Sequence, residues 1–159
     1  MDDDVVIEHP NRDNAASKAT RAVVVLLLLV SAGLVLVVTV GGWAALEGAK
    51  AVQIGYIVLY LVFAFYVARW NRGVLPVIAA LAIILLIFAV VATPAWFDRD
   101  KTGFTNPALP SDVLGYVTAV IVPVQALLIL FSMQGFMQAW NVEVERRRDS
   151  SSGAVPAAG

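Results

Sequence analysis

Spaced amide and hydroxyl side chains in a long uncharged stretch form the first group of residues that could support chemistry. Gln125 lies two residues after Pro123, and Ser132, Gln134 and Gln138 follow before the next charged residue. An amide in an apolar environment can bind a ligand or line a conduction path, but it needs hydrogen-bond partners. The favoured interpretation is structural: Gln125 bonds to a neighbouring helix or to backbone freed by the proline, and Gln134 and Gln138 lie at the cytoplasmic interface.

Two acidic residues in the segment 95–111 form the second group. Asp98 and Asp100 are followed by Thr102 and Gly103, a pattern that resembles the start of a calcium-binding EF-hand loop. The twelfth position is Leu109, where an EF-hand has the bidentate Glu that closes the cage. We therefore expect at most a weak exposed cation site at the two aspartates, and a solvated charge cluster is the favoured alternative.

A short motif in the same segment resembles the phosphorylation motif DKTGT of P-type ATPases. Asp100, Lys101, Thr102 and Gly103 match it, and the resemblance implies an aspartate that becomes an acyl phosphate. The next residue is Phe104 instead of threonine, and the chain has no room for a nucleotide-binding domain. The motif therefore does not predict an ATPase.

Other residue types that support catalysis are absent or isolated. The chain has no cysteine, and its single histidine, His9, lies in a polar segment near the N-terminus. The apolar runs described next contain no ionisable residue, although such residues mark most proton relays and coupled transporters. The sequence therefore predicts no catalytic residue, no cofactor and no resident metal.

Four charge-free runs must position these side chains. They cover residues 22–46, 51–68, 73–97 and 113–142, and each can supply most or all of the ~20 apolar residues that cross a ~30 Å hydrocarbon layer as a helix. The chain is 14% charged, against roughly 25% in soluble domains. We predict an all-α integral membrane protein in which four transmembrane helices, at 22–43, 52–70, 74–94 and 112–142, form an antiparallel bundle.

A tryptophan falls at or just beyond the end of each apolar run: Trp43, Trp70, Trp96 and Trp140. Indole has an apolar body and one N–H donor, so it is favoured where hydrocarbon meets lipid headgroups. All four are predicted to be interface anchors.

Basic residues predict the orientation, because cytoplasmic loops carry an excess of Lys and Arg. A cytoplasmic N-terminus puts Lys50, Arg99 and Lys101 outside. The same orientation puts eight basic residues inside, namely Arg12, Lys18, Arg21, Arg69, Arg72, Arg146, Arg147 and Arg148. Both termini are therefore predicted to be cytoplasmic. The Val- and Ala-rich spans resemble those of small membrane proteins from high-GC bacteria, which favours the bacterial inner membrane.

The segments outside the spans complete the predicted organisation. Residues 1–20 are expected to form a disordered cytoplasmic tail, residues 21–142 the transmembrane domain with an outer loop at 95–111, and residues 143–159 a basic and then small-residue cytoplasmic tail. The fourth helix is overlong, since thirty residues span about 45 Å. We expect a kink at Pro123 and a helical continuation through Asn141 into the EVERRR segment.

Several helix faces could contact other groups. Ser31 and Gly33 are expected on the packing side of the first helix. The second helix carries aromatic and branched residues at helical spacing, suited to packing or to stacking a quinone, carotenoid or lipid: Tyr56, Tyr60, Phe63, Val67 and Trp70. Small residues four apart recur at Ala64/Ala68, Gly115/Ala119 and Gly135/Ala139.

These features predict contact surfaces without a chemical centre. The leading hypothesis is a small non-catalytic membrane protein that serves as a subunit or accessory factor of a larger membrane complex. The alternative is a homo-oligomeric channel or transporter in which the fourth helix and Gln125 line the path. A lesser alternative is a lipid- or envelope-modifying enzyme that uses the 95–111 loop. Expected partners are the bilayer and other membrane proteins or a second copy; a net charge of −1 gives no reason to expect nucleic acid.

Overall fold

The computed structural model describes residues 5–99 and 107–147, and helices dominate this part of the chain. A short strand lies near each end of it. The elements in chain order are β1 (Val5–Glu8), α1 (Pro10–Asp13), α2 (Ala15–Gly41), α3 (Lys50–Ala68), a 3₁₀ turn (Arg72–Val74), α4 (Leu75–Phe97), α5 (Ser111–Met137) and β2 (Val144–Arg147).

Four helices are long and apolar enough to cross a membrane, as the charge-free runs predict. They are α2, α3, α5 and the 3₁₀ turn together with α4. Large apolar side chains point outward from them, including Val91 and Leu130, which are 68% and 66% exposed. Burying such a side chain away from water is worth about 1.5–3 kcal/mol, so the outward faces fit a lipid environment and would be costly in water.

The first long helix begins earlier than predicted. α2 starts at Ala15, and the side chain of Asn14 caps it by accepting a hydrogen bond from the Ala16 N–H at 3.1 Å. Its first turns carry Ser17 and Thr20, which are both buried. The prediction of disorder over residues 1–20 is therefore wrong for residues 5–20.

The last long helix ends earlier than predicted. α5 ends at Met137 instead of near residue 142, and Ala139 adopts left-handed backbone with φ of 49°. Left-handed backbone cannot continue a right-handed helix. The expected helical continuation into EVERRR is therefore wrong, because β2 forms there. Pro123 lies inside α5 without ending it, and a kink at this position stays a prediction.

The two tails pair with each other outside the long helices. β1 and β2 form a two-stranded antiparallel sheet, with Val5 opposite Arg147 and Glu8 opposite Val144. We call this pair the tail sheet. The sequence predicts a tail for each segment and gives no sign that the two pair. The predicted topology residue Arg148 lies outside the described residues.

The long helices pack in an incomplete ring. α2 contacts α3 and α5, and α5 contacts α4. Thr39 bonds to Gln53 near one end of the α2–α3 pair and Arg21 bonds to Ala68 near the other, so these two helices run in opposite directions. α3 and α4 follow each other in sequence but make few close contacts. The gap between them matters for the site described below.

The buried helix faces agree only partly with the predicted ones. On α3, the predicted aromatic side faces protein: Tyr56, Tyr60 and Val67 are buried, and Phe63 and Trp70 are half-buried. On α2, Ser31 is buried but Gly33 is exposed, with nothing within 4 Å of where a Cβ would lie. Two residues correspond to about 200° of helix rotation, so Gly33 faces away from the packing side.

Candidate functional site

A hydrogen-bonded group at the centre of the bundle connects three helices. Tyr60 donates its hydroxyl to Gln125 Oε1 at 2.8 Å, and Gln125 Nε2 donates to Ser31 Oγ at 2.9 Å. Ser31 in turn donates to the Leu27 carbonyl at 2.7 Å. We call Ser31, Tyr60 and Gln125 the central polar cluster. All three side chains are fully buried, so this cluster joins α2, α3 and α5 away from both solvent and lipid.

Gln125 therefore occupies a packing position in this structure. Its amide oxygen and nitrogen both have partners on neighbouring helices, which satisfies a polar group that is costly to leave unpaired in an apolar interior. Gln125 does not line the cavity described below. The geometry thus gives no open path along this side chain.

The other residues predicted with Gln125 do not join it. Pro123 and Gln134 are exposed on α5, and Gln138 bonds instead to Thr20 at 3.0 Å near the start of α2. Ser132 is fully buried, and among the described residues its hydroxyl oxygen has no hydrogen-bond partner. The predicted residues therefore lie in three places. Gln125 and Ser132 are buried inside the bundle, Gln138 lies at one end, and Pro123 and Gln134 are on the outer surface.

The end of the bundle nearest the tail sheet, which we call the tail-side end, is held by aromatic and basic side chains. The indole of Trp140 is fully buried, donates to Gln138 Oε1 at 3.1 Å and meets the Trp70 ring edge to face at 5.3 Å. Arg21 lies over the Trp70 ring and donates to the Ala68 carbonyl at 2.9 Å. Arg21 thereby satisfies a carbonyl at the C-terminus of α3.

Arg69 and Arg72 are predicted to be orientation signals and lipid-phosphate contacts, and in the structure Arg72 also bonds to the protein. Arg72 Nε donates to the Phe136 carbonyl at 2.7 Å, and Nη1 donates to Asn141 Oδ1 at 3.1 Å. It therefore caps the C-terminal turn of α5, where a cation is favoured. Arg69 is exposed and lies over the Phe65 ring.

Hydrogen bonds fix the N-terminal segment to the chain that follows α5. Asn11 Nδ2 donates to the Ala139 carbonyl and Arg12 Nε to the Trp140 carbonyl, both at 2.9 Å. Of the remaining topology residues, Lys18 and Arg146 are exposed, and Arg147 lies in β2. These contacts place the tail sheet at a defined position beside the tail-side end.

A cavity opens where α3 and α4 fail to pack together. It has a volume of about 520 Å³ and is lined by residues of all four long helices, among them Val35, Tyr56, Phe88 and Ile121. We call it the lateral cleft. Its walls are mainly apolar, and 520 Å³ falls within the ~300–1,000 Å³ typical of ligand pockets. No sequence pattern predicts this cleft, because the gap depends on which helices pack against each other.

Polar groups border the lateral cleft toward the loop-side end, opposite the tail sheet. Gln53 lines the cleft and accepts a hydrogen bond from Thr39 at 2.6 Å. Arg99 also lines it, donates to the Ala45 carbonyl at 3.3 Å and lies 5.1 Å from the Trp96 ring centre. The cleft therefore combines an apolar body with an amide and a guanidinium near its mouth.

The predicted tryptophan anchors fall into two classes. Trp43 is 47% exposed, with the Lys50 ammonium 4.7 Å from its ring centre, and Trp70 is half-buried. Trp96 and Trp140 are enclosed by protein, at 4% and 0% exposure. The interface-anchor role stays a prediction for all four tryptophans.

The predicted cation site lies partly outside the described residues and stays a prediction. Asp98 is exposed at the end of α4, and Asp100 lies outside the described residues. Across residues 5–99 and 107–147, no group of three or more His, Asp or Glu side chains lies together so that it could hold a metal ion. Comparisons add no assignment: the chain matches no protein-family model, no curated protein and no solved structure.

Proposed function

We propose that this chain is a non-catalytic protein of the bacterial inner membrane that serves as a subunit or accessory factor of a larger membrane complex. In this proposal its four long helices form a bundle with both termini in the cytoplasm. The excess of basic residues at the tail-side end supports that orientation. The tail sheet would then face the cytoplasm.

Exposed apolar residues on the tail sheet are the observation that carries the proposal. Val5, Ile7 and Val144 are 43%, 56% and 43% exposed, and they lie beyond the helices that suit lipid. Side chains alternate along a strand, so Val5 and Ile7 share one face of the sheet, while Val144, paired with Glu8, lies on the other face. In water, exposed apolar side chains of this kind favour contact with another protein.

The sheet also offers backbone groups to a partner. A two-stranded sheet leaves one edge of each strand unpaired, and an isolated pair of strands is marginally stable in water. A partner strand that adds to either edge would gain main-chain hydrogen bonds, and the rest of that partner would cover the exposed apolar side chains. The bonds from Asn11 and Arg12 to the Ala139 and Trp140 carbonyls hold the sheet in place for this contact.

Co-purification from the native membrane tests the proposal with two lysine substitutions. Ile7→Lys removes an apolar contact but leaves the sheet intact, because Glu145 lies directly opposite and can pair with the new lysine. Asp13→Lys is the control, since Asp13 is exposed just outside the sheet. Each variant is extracted in mild detergent, and partners present at fixed stoichiometry are identified and quantified.

Wild type and Asp13→Lys are expected to recover the same partner in equal amounts. Loss of apolar burial at Ile7 is worth about 1.5–3 kcal/mol, so recovery with Ile7→Lys should fall about tenfold or more. Equal recovery with Ile7→Lys would remove the tail sheet from the interface. A wild-type protein that purifies alone as a monodisperse monomer would overturn the subunit assignment.

A further inference from the structure

We propose that the lateral cleft holds one acyl chain of an anionic lipid from the surrounding bilayer, with its phosphate beside Arg99. This inference is independent of the proposed function, since the cleft lies at the loop-side end and the tail sheet at the opposite end. It assigns a binding site to the gap between α3 and α4.

The position of the cleft makes lipid its natural neighbour. It opens between α3 and α4, which are both apolar enough to lie in hydrocarbon. Its walls include Val52, Phe88 and Val91, and each of these side chains is at least 50% exposed. An empty apolar gap forfeits dispersion contacts that a hydrocarbon chain would restore. Two polar groups in its walls are already bonded within the protein: Tyr56 donates to the Leu81 carbonyl at 3.1 Å and Thr118 to the Leu114 carbonyl at 2.7 Å.

The charged groups at the mouth of the cleft favour an anionic headgroup. Arg99 lines the cleft and is positioned by the Ala45 carbonyl and the Trp96 ring, and a guanidinium is well suited to phosphate. Lys50 begins α3 at the same end, over the Trp43 ring, but it does not line the cleft. Glu47 and Asp98 also lie at this end, but neither lines the cleft.

Gln53 is a second polar residue of the cleft wall, and it lies deeper along α3, toward the hydrocarbon. It lies on α3 three residues beyond Lys50 and lines the cleft, which corresponds to about 4.5 Å along the helix axis. A lipid has ester carbonyl groups just below its phosphate. The amide of Gln53 is therefore at a depth suited to an ester group, with the apolar cleft below it for the chain.

Fluorescence quenching by brominated lipid tests this assignment directly. The protein is reconstituted in phosphatidylcholine vesicles with increasing fractions of phosphatidylglycerol that has bromine atoms near the ester end of one chain. Trp96 is 4% exposed and lines the cleft, so a chain held in the cleft would lie close to its ring. Subtracting the signal of Trp96→Phe isolates this tryptophan from the other three.

Blocking variants fill the cleft from opposite walls. Ala92→Phe acts from α4 and Val52→Phe from α3, and both residues line the cleft. Ala80→Phe is the matched control, because Ala80 is an exposed alanine on α4 that does not line it. Arg99→Gln tests the headgroup alone, and light scattering reports the oligomeric state of each variant.

Wild type and Ala80→Phe are expected to show saturable quenching of Trp96, and both blocking variants should lose it. Half-saturation of the quenching should need about fivefold less brominated phosphatidylglycerol than brominated phosphatidylcholine, because one cation near an anionic headgroup supplies about that factor. Arg99→Gln should remove this preference. Quenching that rises linearly and equally for both lipids overturns the proposal. So does a change from oligomer to monomer in the blocking variants, which would make a second copy the occupant.

Discussion

Tyr60 and Gln125 are joined by a 2.8 Å hydrogen bond between two fully buried side chains on α3 and α5. The two residues are 65 positions apart in sequence, and α3 and α5 contact each other much less than each contacts α2. The bond therefore links two helices that are otherwise joined mainly through α2, which lies between them. Gln125 completes the link by donating to Ser31 on α2.

We predict that Tyr60→Phe destabilises the protein by about 1 kcal/mol, because the Gln125 oxygen loses its donor in an apolar interior. Gln125→Leu should have a similar effect, since it leaves the Tyr60 hydroxyl unpaired. The double variant should cost about 0.6–1.7 kcal/mol less than the sum of the two single changes. Reversible unfolding in mixed micelles of mild detergent and dodecyl sulfate measures all three.

Tyr66→Phe is the control for this cycle, because Tyr66 is 43% exposed on the same helix. Removing its hydroxyl should change the free energy of unfolding by less than about 0.5 kcal/mol. Strict additivity of the Tyr60 and Gln125 effects would contradict the bond as an energetic link. Ion flux into liposomes that requires Gln125 would revive the channel alternative.

The four long helices could be predicted from the sequence because hydrocarbon thickness alone sets their length and composition. Their ends could not, since these depend on local backbone and contacts. The Asn14 cap extends α2 toward the N-terminus, and left-handed Ala139 ends α5 before Trp140. The tail sheet joins segments more than 130 residues apart, and no periodic pattern in either segment indicates the pairing.

For the candidate site too, composition predicts one part and helix packing determines the rest. Gln125 could be identified as a buried amide because uncharged polar residues are rare in apolar spans, but its partner Tyr60 was assigned only to an aromatic stripe. The lateral cleft could not be predicted, because it results from α3 packing against α2 while α4 packs against α5. Gln53 and Arg99 are candidate binding residues only because they line that cleft.

Gly42 is predicted to tolerate no side chain. A Cβ at this position would lie 2.7 Å from Trp96 Cη2 and 2.8 Å from the Val38 carbonyl oxygen, and neither the buried indole nor the helix backbone can move freely. Gly42→Ala should therefore lower the free energy of unfolding by about 1–3 kcal/mol. It should also change the fluorescence of Trp96. Both quantities are measurable in one micelle titration.

Gly33→Ala provides the opposite case on the same helix. Nothing lies within 4 Å of the Cβ position at Gly33, and alanine favours helix over glycine by about 0.8–1 kcal/mol. This variant should be neutral or slightly stabilising. A Gly42→Ala protein as stable as Gly33→Ala would show that the chain around Gly42 and Trp96 packs less closely than described.

Arg72 is predicted to stabilise the tail-side end through its hydrogen bonds and not through its charge alone. Arg72→Gln should lower the free energy of unfolding by about 1–2 kcal/mol, because the Phe136 carbonyl and Asn141 lose a charged donor. Arg69→Gln is the matched control, because Arg69 lies three residues away and is exposed. Its loss of one positive charge should change the free energy of unfolding by less than about 0.5 kcal/mol. Equal effects of the two changes would refute the capping role.

Cysteine labelling can decide the predicted orientation, because the chain has no cysteine of its own and each introduced thiol is therefore unique. Gly48 and Ala19 are both exposed, at the loop-side and tail-side ends. The positive-inside rule places Gly48 outside and Ala19 inside. Gly48→Cys should react with a membrane-impermeant maleimide in intact cells, whereas Ala19→Cys should react only after permeabilisation. The reverse pattern would move the tail sheet to the outer face and require a partner there, while labelling of both residues in intact cells would be incompatible with four crossings.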